Sequence, residues 1–230
     1  GYLNVQSRTG MLSSSIGLRH DDNEQFGSYL TGDAGLGLDV SEGTVISLNM
    51  GTAYKAPSFN DLYWPDSNWA GGNPNLQPEE IKSAELGMET YQDIYIASFR
   101  IYRSEVDDMI AWALNNTGKW IPQNVDNVNI KGAELQAGAE LVGLLLSASF
   151  TYERVKDAAT DQDLVRKPRR KLSVDVDKQV GNVGLGVTFY AQSQHYEDVY
   201  NPAISGTERV VMTGFGDMAV RFSHQINDEM

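Results

Sequence analysis

The sequence contains no cysteine, few basic residues and no long apolar run, and each of these shortages excludes a class of protein. Without cysteine there is no disulfide framework, no thiolate chemistry and no cysteine-ligated zinc site. Lys and Arg number 18 against 31 Asp and Glu, a net charge of −13, and this argues against a nucleic-acid partner because phosphate binding requires clustered positive charge. No apolar stretch approaches the roughly 20 residues of a membrane helix, and the residues from Gly1 lack the pattern of a signal peptide.

Recognisable catalytic and metal-binding motifs are also missing. His20, His195 and His224 lie far apart in sequence at predicted strand ends, and no Gly-x-Ser-x-Gly, His-Glu-x-x-His or glycine-rich phosphate loop is present. The acidic runs at residues 21–24 and 161–163 offer oxygen ligands for calcium but lack the spacing of an EF-hand loop. We therefore predict no catalytic residue, no metal site and no cofactor, and we interpret both runs as acidic turns on solvated loops.

What the sequence does have is a two-residue alternation of apolar and polar side chains along most of its length. In residues 27–40, for example, Leu36 and Leu38 share one face of a strand, and Gly37 and Asp39 share the other. We predict no helix and about eleven strands, at residues 2–8, 11–21, 27–40, 44–54, 81–91, 94–105, 128–141, 144–155, 169–178, 182–194 and 210–225.

The length of these segments favours a membrane barrel over a soluble β-sandwich. Most run to about 10 to 14 residues, whereas soluble strands usually have about 5 to 6 and a tilted membrane-spanning strand needs about 9 to 11. The non-apolar face also carries too many glycine, amide and charged residues for a packed core, because buried charges must be paired. A watery or plugged lumen accepts such residues.

The joints between the strands alternate between short and long. In an up-and-down meander this places all tight turns at one end and all loops at the other, as in outer-membrane barrels. We predict longer joints at residues 22–26, 55–80, 106–127, 156–168 and 195–209, and tight ones at Thr9-Gly10, Ser41-Glu42-Gly43, Gln92-Asp93, Val142-Gly143 and Val180-Gly181-Asn182. The predicted fold is all-β: an antiparallel up-and-down transmembrane β-barrel, with a soluble β protein as the alternative.

Several segments resemble TonB-dependent outer-membrane receptors. GTAYKAPSFNDLY at residues 51–63 and GNPNLQPEEIKSAELGMET at 72–90 are similar to a strand that ends in a YKAP-like turn and the strand that follows. VDNVNIKGAELQAGAEL at 125–141 resembles the family's I-x-G-x-E strand, and VRKPRRKLSVDVD at 165–177 its R-x-P-x-x-x-L strand. Within the family, LRHDDNEQFG at 18–27 and the pattern around GNPNLQPE look most like the vitamin B12 receptors.

The resemblance implies a 22-stranded barrel around an N-terminal plug, located in the outer membrane of a Gram-negative bacterium and energised by TonB. Residues 1–230 then form part of a single barrel domain without the plug, and we expect this piece alone neither to close a barrel nor to transport. The implied ligand is vitamin B12 (cobalamin), with a ferric siderophore as the alternative. A non-transporting structural or adhesive β-sheet protein remains a further alternative, which detergent partition and heat-modifiable gel migration would distinguish.

Two groups of residues are candidates for binding. The basic cluster Arg166, Lys167, Arg169, Arg170 and Lys171 lies at the predicted long-loop end, where it would meet lipopolysaccharide phosphates or form a lumenal network with Glu134, Glu140 and Glu153. The loop aromatics are candidates for a ligand-contacting rim, because such side chains combine a large area with a polar handle. Their alternative role is in the interfacial aromatic girdle of a barrel. The rim candidates are Tyr63, Trp64, Trp69, Trp112, Trp120, Tyr196 and Tyr200.

Overall fold

The computed structural model of the protein describes residues 1–204 and 206–226 and consists almost entirely of β-strands. In order, the elements are β1 (Tyr2–Thr9), β2 (Leu12–Asn23), β3 (Gly27–Ser41), β4 (Thr44–Lys55), α1 (Phe59–Tyr63), β5 (Glu79–Gln92), β6 (Tyr95–Leu114), β7 (Trp120–Leu141), β8 (Leu144–Asp157), β9 (Arg170–Val180), β10 (Val183–Gln192), β11 (His195–Asn201), β12 (Gly206–Met212) and β13 (Phe215–His224). Within the described residues, no helix has the length and apolar character needed to cross a membrane.

Eleven of the strands form one antiparallel sheet. Strands β1 to β10 lie side by side in chain order, β13 pairs with β10, and β11 and β12 form a separate hairpin inserted in the connection between them. In the described part of the chain, β1 and β13 are the two edges of the sheet. The predicted antiparallel meander of about eleven strands is therefore confirmed.

The tight turns all lie at one end of the sheet. They are two-residue connections at 10–11, 42–43, 93–94, 142–143 and 181–182, close to the predicted positions. In the β7–β8 turn both residues have positive φ, 53° at Val142 and 71° at Gly143. Positive φ at both central positions matches the right-handed twist of a hairpin, which accounts for this strained conformation at a valine. We call the opposite end, which has the longer connections, the long-loop end.

Two of the loop predictions are wrong, because the residues concerned form β-hairpins. Strands β6 and β7 continue past Asp107 to a tip at residues 115–119, and the predicted loop at 195–209 contains β11 and most of β12. In the β6 extension, residues 107–114 are all half-buried. When both faces of a strand contact protein, apolar and polar residues no longer alternate, so the sequence Met109-Ile110-Ala111-Trp112 gives no two-residue signal.

Two further expectations are corrected at this end. The strand predicted at 210–225 is divided at Gly214: residues up to Met212 pair back onto β11, and β13 begins at Phe215 opposite Gln192. The two backbone segments lie so close there that a Cβ at Gly214 would be 2.5 Å from the Gln192 carbonyl oxygen. No helix was predicted, but the five-residue α1 lies within the loop that joins β4 to β5.

One face of the sheet, which we call the apolar face, is lined by aliphatic side chains. Leu36, Leu48, Leu86 and Ile101 lie opposite one another in a single row across four strands, and all four are exposed. Burying such a side chain contributes about 1.5 to 3 kcal/mol relative to exposure. An exposed row of this kind therefore favours contact with a non-aqueous environment.

The buried core lies elsewhere, at the long-loop end. The buried apolar residues are Leu62, Ala70, Leu76, Val106, Val128 and Val155. The three valines form a cluster on the opposite face, which we call the polar face, and Leu164 of the β8–β9 connection packs against them. The protein is thus packed internally where its loops are and exposes apolar residues along the sheet.

Hydrogen-bonded pairs cross between strands on the polar face. Arg100 donates to Glu134 at 2.7 Å, and the Tyr102 hydroxyl donates to Glu153 at 2.9 Å across the intervening strand β7. Gly132 of β7 lies between Tyr102 and Glu153, and a Cβ at this glycine would be 2.4 Å from Cζ of Tyr102. The absence of a side chain at this glycine is what allows Tyr102 to reach Glu153.

Replacing Gly132 by alanine should therefore displace the Tyr102 ring and break its hydrogen bond to Glu153. We expect Gly132→Ala to lower the free energy of unfolding by about 1 to 3 kcal/mol, which thermal unfolding of the parent and variant would measure. The control is Gly138→Ala on the same strand and face, where the nearest atom is 3.2 Å away on the flexible Ile96 side chain. Equal unfolding of the two variants would contradict this role for Gly132.

Candidate functional site

The connections at the long-loop end pack against one another and form the candidate site. We call this region the loop cluster, and it comprises residues 56–78, 109–124, 158–169, 195–204 and 206–212. The contacts described below join each of these segments to at least one other, so that the loops at this end form a continuous surface.

Helix α1 begins at a capping box. Ser58 accepts a hydrogen bond from the backbone N–H of Asp61 at 3.2 Å, and the Asp61 carboxylate accepts one from the Ser58 N–H at 3.0 Å. Such reciprocal bonds satisfy two N–H groups that a helix start leaves free. Asp61 also accepts a hydrogen bond from the indole Nε1 of Trp112 at 2.9 Å, so the same carboxylate joins the β4–β5 loop to the β6–β7 hairpin.

The β4–β5 loop follows the β6–β7 hairpin along its length. The Trp120 N–H donates to the Trp69 carbonyl at 2.8 Å, and the Trp120 carbonyl accepts from the Gly71 N–H at 3.0 Å. Asn124 exchanges hydrogen bonds of 2.9 Å with both backbone groups of Gln77. Backbone pairing of this kind gives an otherwise irregular loop the fixed geometry of a sheet edge.

Arg166 joins three segments of the loop cluster. Its guanidinium lies 4.6 Å from the centre of the Trp120 ring and forms an ion pair with Glu197 at 2.7 Å. Its backbone N–H donates to the Tyr196 carbonyl at 2.8 Å, and its φ of 61° places it in the left-handed region, which is uncommon for a residue with a side chain. The β6–β7 hairpin, the β8–β9 connection and the β11–β12 hairpin therefore meet at one arginine.

Two carboxylates in these contacts have shifted pKa values. The hydrogen bond from Arg166 lowers the pKa of Glu197. Burial acts to raise the pKa of Asp61, but the hydrogen bonds from Ser58 and Trp112 outweigh it and hold that pKa below its usual value. Both groups are therefore ionised in neutral solution, where they accept the bonds that link the loops.

The seven aromatic candidates do not form one continuous rim. Trp64 and Trp112 pack edge to face with ring centres 6.0 Å apart, and Trp120 stacks on Arg166. The Tyr196 ring lies under the Arg209 guanidinium at 5.8 Å, and the Tyr200 ring lies against Gly118. Four of these aromatics make ring contacts between loops, and Tyr196 makes one within the β11–β12 hairpin. Tyr63 and Trp69, in contrast, are 57% and 63% exposed.

Phe59 is an aromatic candidate that the sequence interpretation missed. It is 83% exposed, and its ring centre lies 6.3 Å from that of Tyr63, one helical turn later. The signal for it was present: Ser58 and Asp61 have the spacing of a capping box, and a helix that starts there places Phe59 and Tyr63 on one face. With Trp69, these residues form a set that we call the exposed aromatics.

The protein itself neutralises two of the five residues of the basic cluster. Arg166 pairs with Glu197, and Arg169 pairs with Asp163. Lys167, Arg169 and Arg170 line a cavity of about 380 Å³. Lys171 lies in the row with Thr151 on the polar face. Of the acidic residues named for a lumenal network, Glu134 bonds Arg100 and Glu153 bonds Tyr102, so both have partners outside the cluster.

Comparison with known proteins identifies the family of this arrangement. Residues 1–218 match the family model described as TonB dependent receptor-like, beta-barrel. The chain is 37% identical over 188 residues to the vitamin B12 transporter BtuB of Photobacterium profundum, which covers 80% of this chain and 30% of that protein. The vitamin B12 transporter BtuB of Vibrio vulnificus is 36% identical over 173 residues, with 75% and 28% covered. The chain thus spans less than a third of the length of these relatives.

Solved structures of the same architecture cover nearly the whole chain. The siderophore receptor PirA from Acinetobacter baumannii superposes with a TM-score of 0.78 at 19% identity, over 99% of this chain and 39% of that one. A ferric enterobactin receptor, PfeA from Pseudomonas aeruginosa, gives a TM-score of 0.76 at 20% identity, over 99% and 37%. At this level of identity the likeness establishes the fold alone. The predicted barrel architecture is confirmed, with the described sheet open between β1 and β13.

Removing the Asp61 carboxylate should separate the β4–β5 loop from the β6–β7 hairpin. Asp61→Ala removes both the helix cap and the Trp112 acceptor, and we expect local stability to fall by about 1 to 3 kcal/mol. Hydrogen exchange of residues 58–64 and of the Trp112 indole would measure the loss. Asp66→Ala is the matched control, because the Asp66–Lys119 ion pair is exposed on the aspartate side and should contribute less than about 1 kcal/mol. Unchanged exchange in Asp61→Ala would contradict the proposed link.

Acid should loosen the contact between Arg166 and Trp120. A lowered pKa means that the Arg166–Glu197 contribution is complete above the unfolded-state value of about 4.3 and is lost as the pH falls through the lower folded-state value. Indole fluorescence should therefore change below about pH 4 as the guanidinium leaves Trp120. In Glu197→Gln this acid transition should disappear, and a transition identical to that of the parent would assign it to another group.

Proposed function

The chain belongs to the TonB-dependent receptor β-barrel family, and on that basis we propose that it is part of an outer-membrane receptor that takes up vitamin B12. In this proposal residues 1–230 belong to a single barrel domain. The apolar face contacts membrane lipid, and the loop cluster faces the outside of a Gram-negative cell. Energy for transport comes from TonB acting through other regions of the full receptor. The identity to two vitamin B12 transporters supports the choice of ligand.

The position of the exposed aromatics is the observation on which the binding site rests. Phe59, Tyr63 and Trp69 project from a loop that is held by the Asp61–Trp112 bond and by backbone pairing with Trp120. Side chains that are fixed before binding lose little freedom when a ligand arrives. A large, flat ring such as a corrin offers a face on which such aromatic side chains pack.

The charge balance of the loop cluster favours a ligand without strong negative charge. Four of its cations, Lys119, Arg166, Arg169 and Arg209, each form an ion pair with a carboxylate of the protein. An anionic ligand would have to break these pairs or bind without them. This consideration places a ferric siderophore second to cobalamin.

Binding of cyanocobalamin to the full receptor tests the proposal. We expect Tyr63→Ala and Trp69→Ala each to weaken binding by about tenfold, because each removes a large apolar contact. Tyr91→Ala is the matched control: Tyr91 is 58% exposed, close to the 57% of Tyr63, but lies beside a tight turn at the opposite end of the sheet.

Three results would count against the proposal. If the full receptor does not bind cyanocobalamin but binds a ferric siderophore, the ligand assignment moves to the second candidate. If Tyr63→Ala and Trp69→Ala bind as well as the parent, the exposed aromatics are not the contact site. If Tyr91→Ala weakens binding equally, the effect arises from the barrel and not from the loop.

A further inference from the structure

A row of three basic residues crosses the apolar face of the sheet near the long-loop end. Arg103 of β6 lies directly opposite Lys131 of β7, and Lys131 lies directly opposite Arg154 of β8. Each is separated by an even number of residues from Phe99, Leu135 or Phe150 on its own strand, so it points to the same face of the sheet. Those three apolar residues lie opposite one another in a row closer to the tight turns. The cations therefore project from the same face as the apolar residues. We call this set the cation row.

Neighbouring like charges in a sheet repel, so the cation row needs an explanation. Side chains directly opposite on adjacent strands have Cβ atoms about 4.5 to 5.5 Å apart, and like charges at that distance destabilise the pairing. Three of them in succession occupy the middle of a protein whose net charge is −13. An anion that contacts two or three of the side chains together would remove the repulsion.

The acidic residues around the row neutralise it only in part. Arg103 pairs with Glu105 at 2.6 Å, and Asp161 pairs with Lys156 at 2.7 Å, near Arg154. Among the residues whose side chains the structure describes, Lys131 has no ion pair, and Nε of Arg154 is buried without a hydrogen-bond partner. A buried donor left unpaired costs about 1 to 3 kcal/mol. Lys131 and Arg154 are thus adjacent cations with unused donors.

The distance of the cation row from the tight turns indicates which part of the membrane would supply the anion. Lys131 and Arg154 each lie ten residues from the tight-turn ends of their strands, at Leu141 and Leu144. Ten residues extend roughly 33 Å, and a tilt of about 40° projects this onto about 25 Å, the height of the apolar band of a membrane barrel. Tyr152, two residues before Arg154 on the same face, has the position of an interfacial aromatic residue.

We propose that the cation row binds the phosphate group of a phosphorylated lipid in the outer leaflet, with Lys131 and Arg154 as the principal ligands. Phosphate oxygens accept charge-assisted hydrogen bonds, and a guanidinium presents donors in a geometry that matches them. The site is separate from the basic cluster at residues 166–171. It rests on the proposed outer-membrane location but not on the identity of the transported ligand.

The test uses the detergent-solubilised full receptor and lipid A, a bis-phosphorylated glycolipid, as the probe. Native mass spectrometry would compare the affinity of lipid A with that of the same lipid after removal of its phosphates. We expect Lys131→Gln and Arg154→Gln each to weaken lipid A binding by about tenfold and to leave the binding of the dephosphorylated lipid unchanged. Lys178→Gln is the matched control, because Lys178 lies opposite Leu144, at the tight-turn end of the same face.

Several outcomes would overturn the proposal. Equal affinity of the parent for phosphorylated and dephosphorylated lipid would exclude phosphate recognition, and a tenfold loss in Lys178→Gln would show a general charge effect. Inorganic phosphate that binds alone and displaces lipid A at the same concentration would make the row a site for free phosphate. The exposed Lys131→Gln keeps the test decisive if Arg154→Gln fails to fold. Cyanocobalamin binding, measured on the same variants, should be unchanged, so that failure of either proposal is seen separately.

Discussion

Each strand of the main sheet pairs its backbone with the next strand, and this pairing is the constraint on which the rest of the structure depends. In a lipid environment an unpaired N–H or C=O group costs several kcal/mol, so a spanning sheet has to continue from strand to strand until it closes. The tight two-residue turns satisfy this requirement at one end because they leave almost no unpaired backbone. It follows that the apolar face needs no protein cover: in the described residues most of its leucines and isoleucines are exposed, and in the proposed outer-membrane location lipid takes the place of a core.

Outside the proposed membrane-spanning region, the chain packs in the ordinary way of a soluble protein. The buried apolar residues lie there, and the hairpin extensions of β6 and β7 are covered on both faces. Backbone pairing of Trp69 and Gly71 with Trp120 holds the β4–β5 loop on the hairpin. Side-chain bonds from Asn124 to the Gln77 backbone and from Trp112 to Asp61 add to it. The main sheet and the loop cluster are therefore stabilised in different ways, because a different environment surrounds each.

This division also explains how much the sequence could predict. Where the sheet has one apolar and one polar face, alternation is strict, and the strands, the tight turns and the antiparallel order were predicted correctly. At residues 109–114 both faces contact protein, alternation fails, and the hairpin was taken for a loop. The β11–β12 hairpin, whose second strand is mostly exposed, was also taken for a loop. The candidate site was predicted only as a list of aromatics. Their partners depend on how the chain folds: Arg166 lies far from Trp120 in sequence, and Arg209 reaches the Tyr196 ring because β11 and β12 pair. Phe59 could have been found from the capping box at Ser58 and Asp61, which is a local signal.

The contacts within the loop cluster decide which aromatics remain available to a ligand. Trp112 donates its indole N–H to Asp61, and Trp120 lies under Arg166, so a ligand that used either ring would first have to break an internal contact. Phe59, Tyr63 and Trp69 have most of their surface free and sit on the segment that those same contacts hold in place. The loop is held by aromatics of the neighbouring hairpin and keeps its own three rings exposed. It is therefore both rigid and accessible, because the ordering cost is met during folding and not during binding. The long connection between β4 and β5 thus serves as a support for three exposed rings.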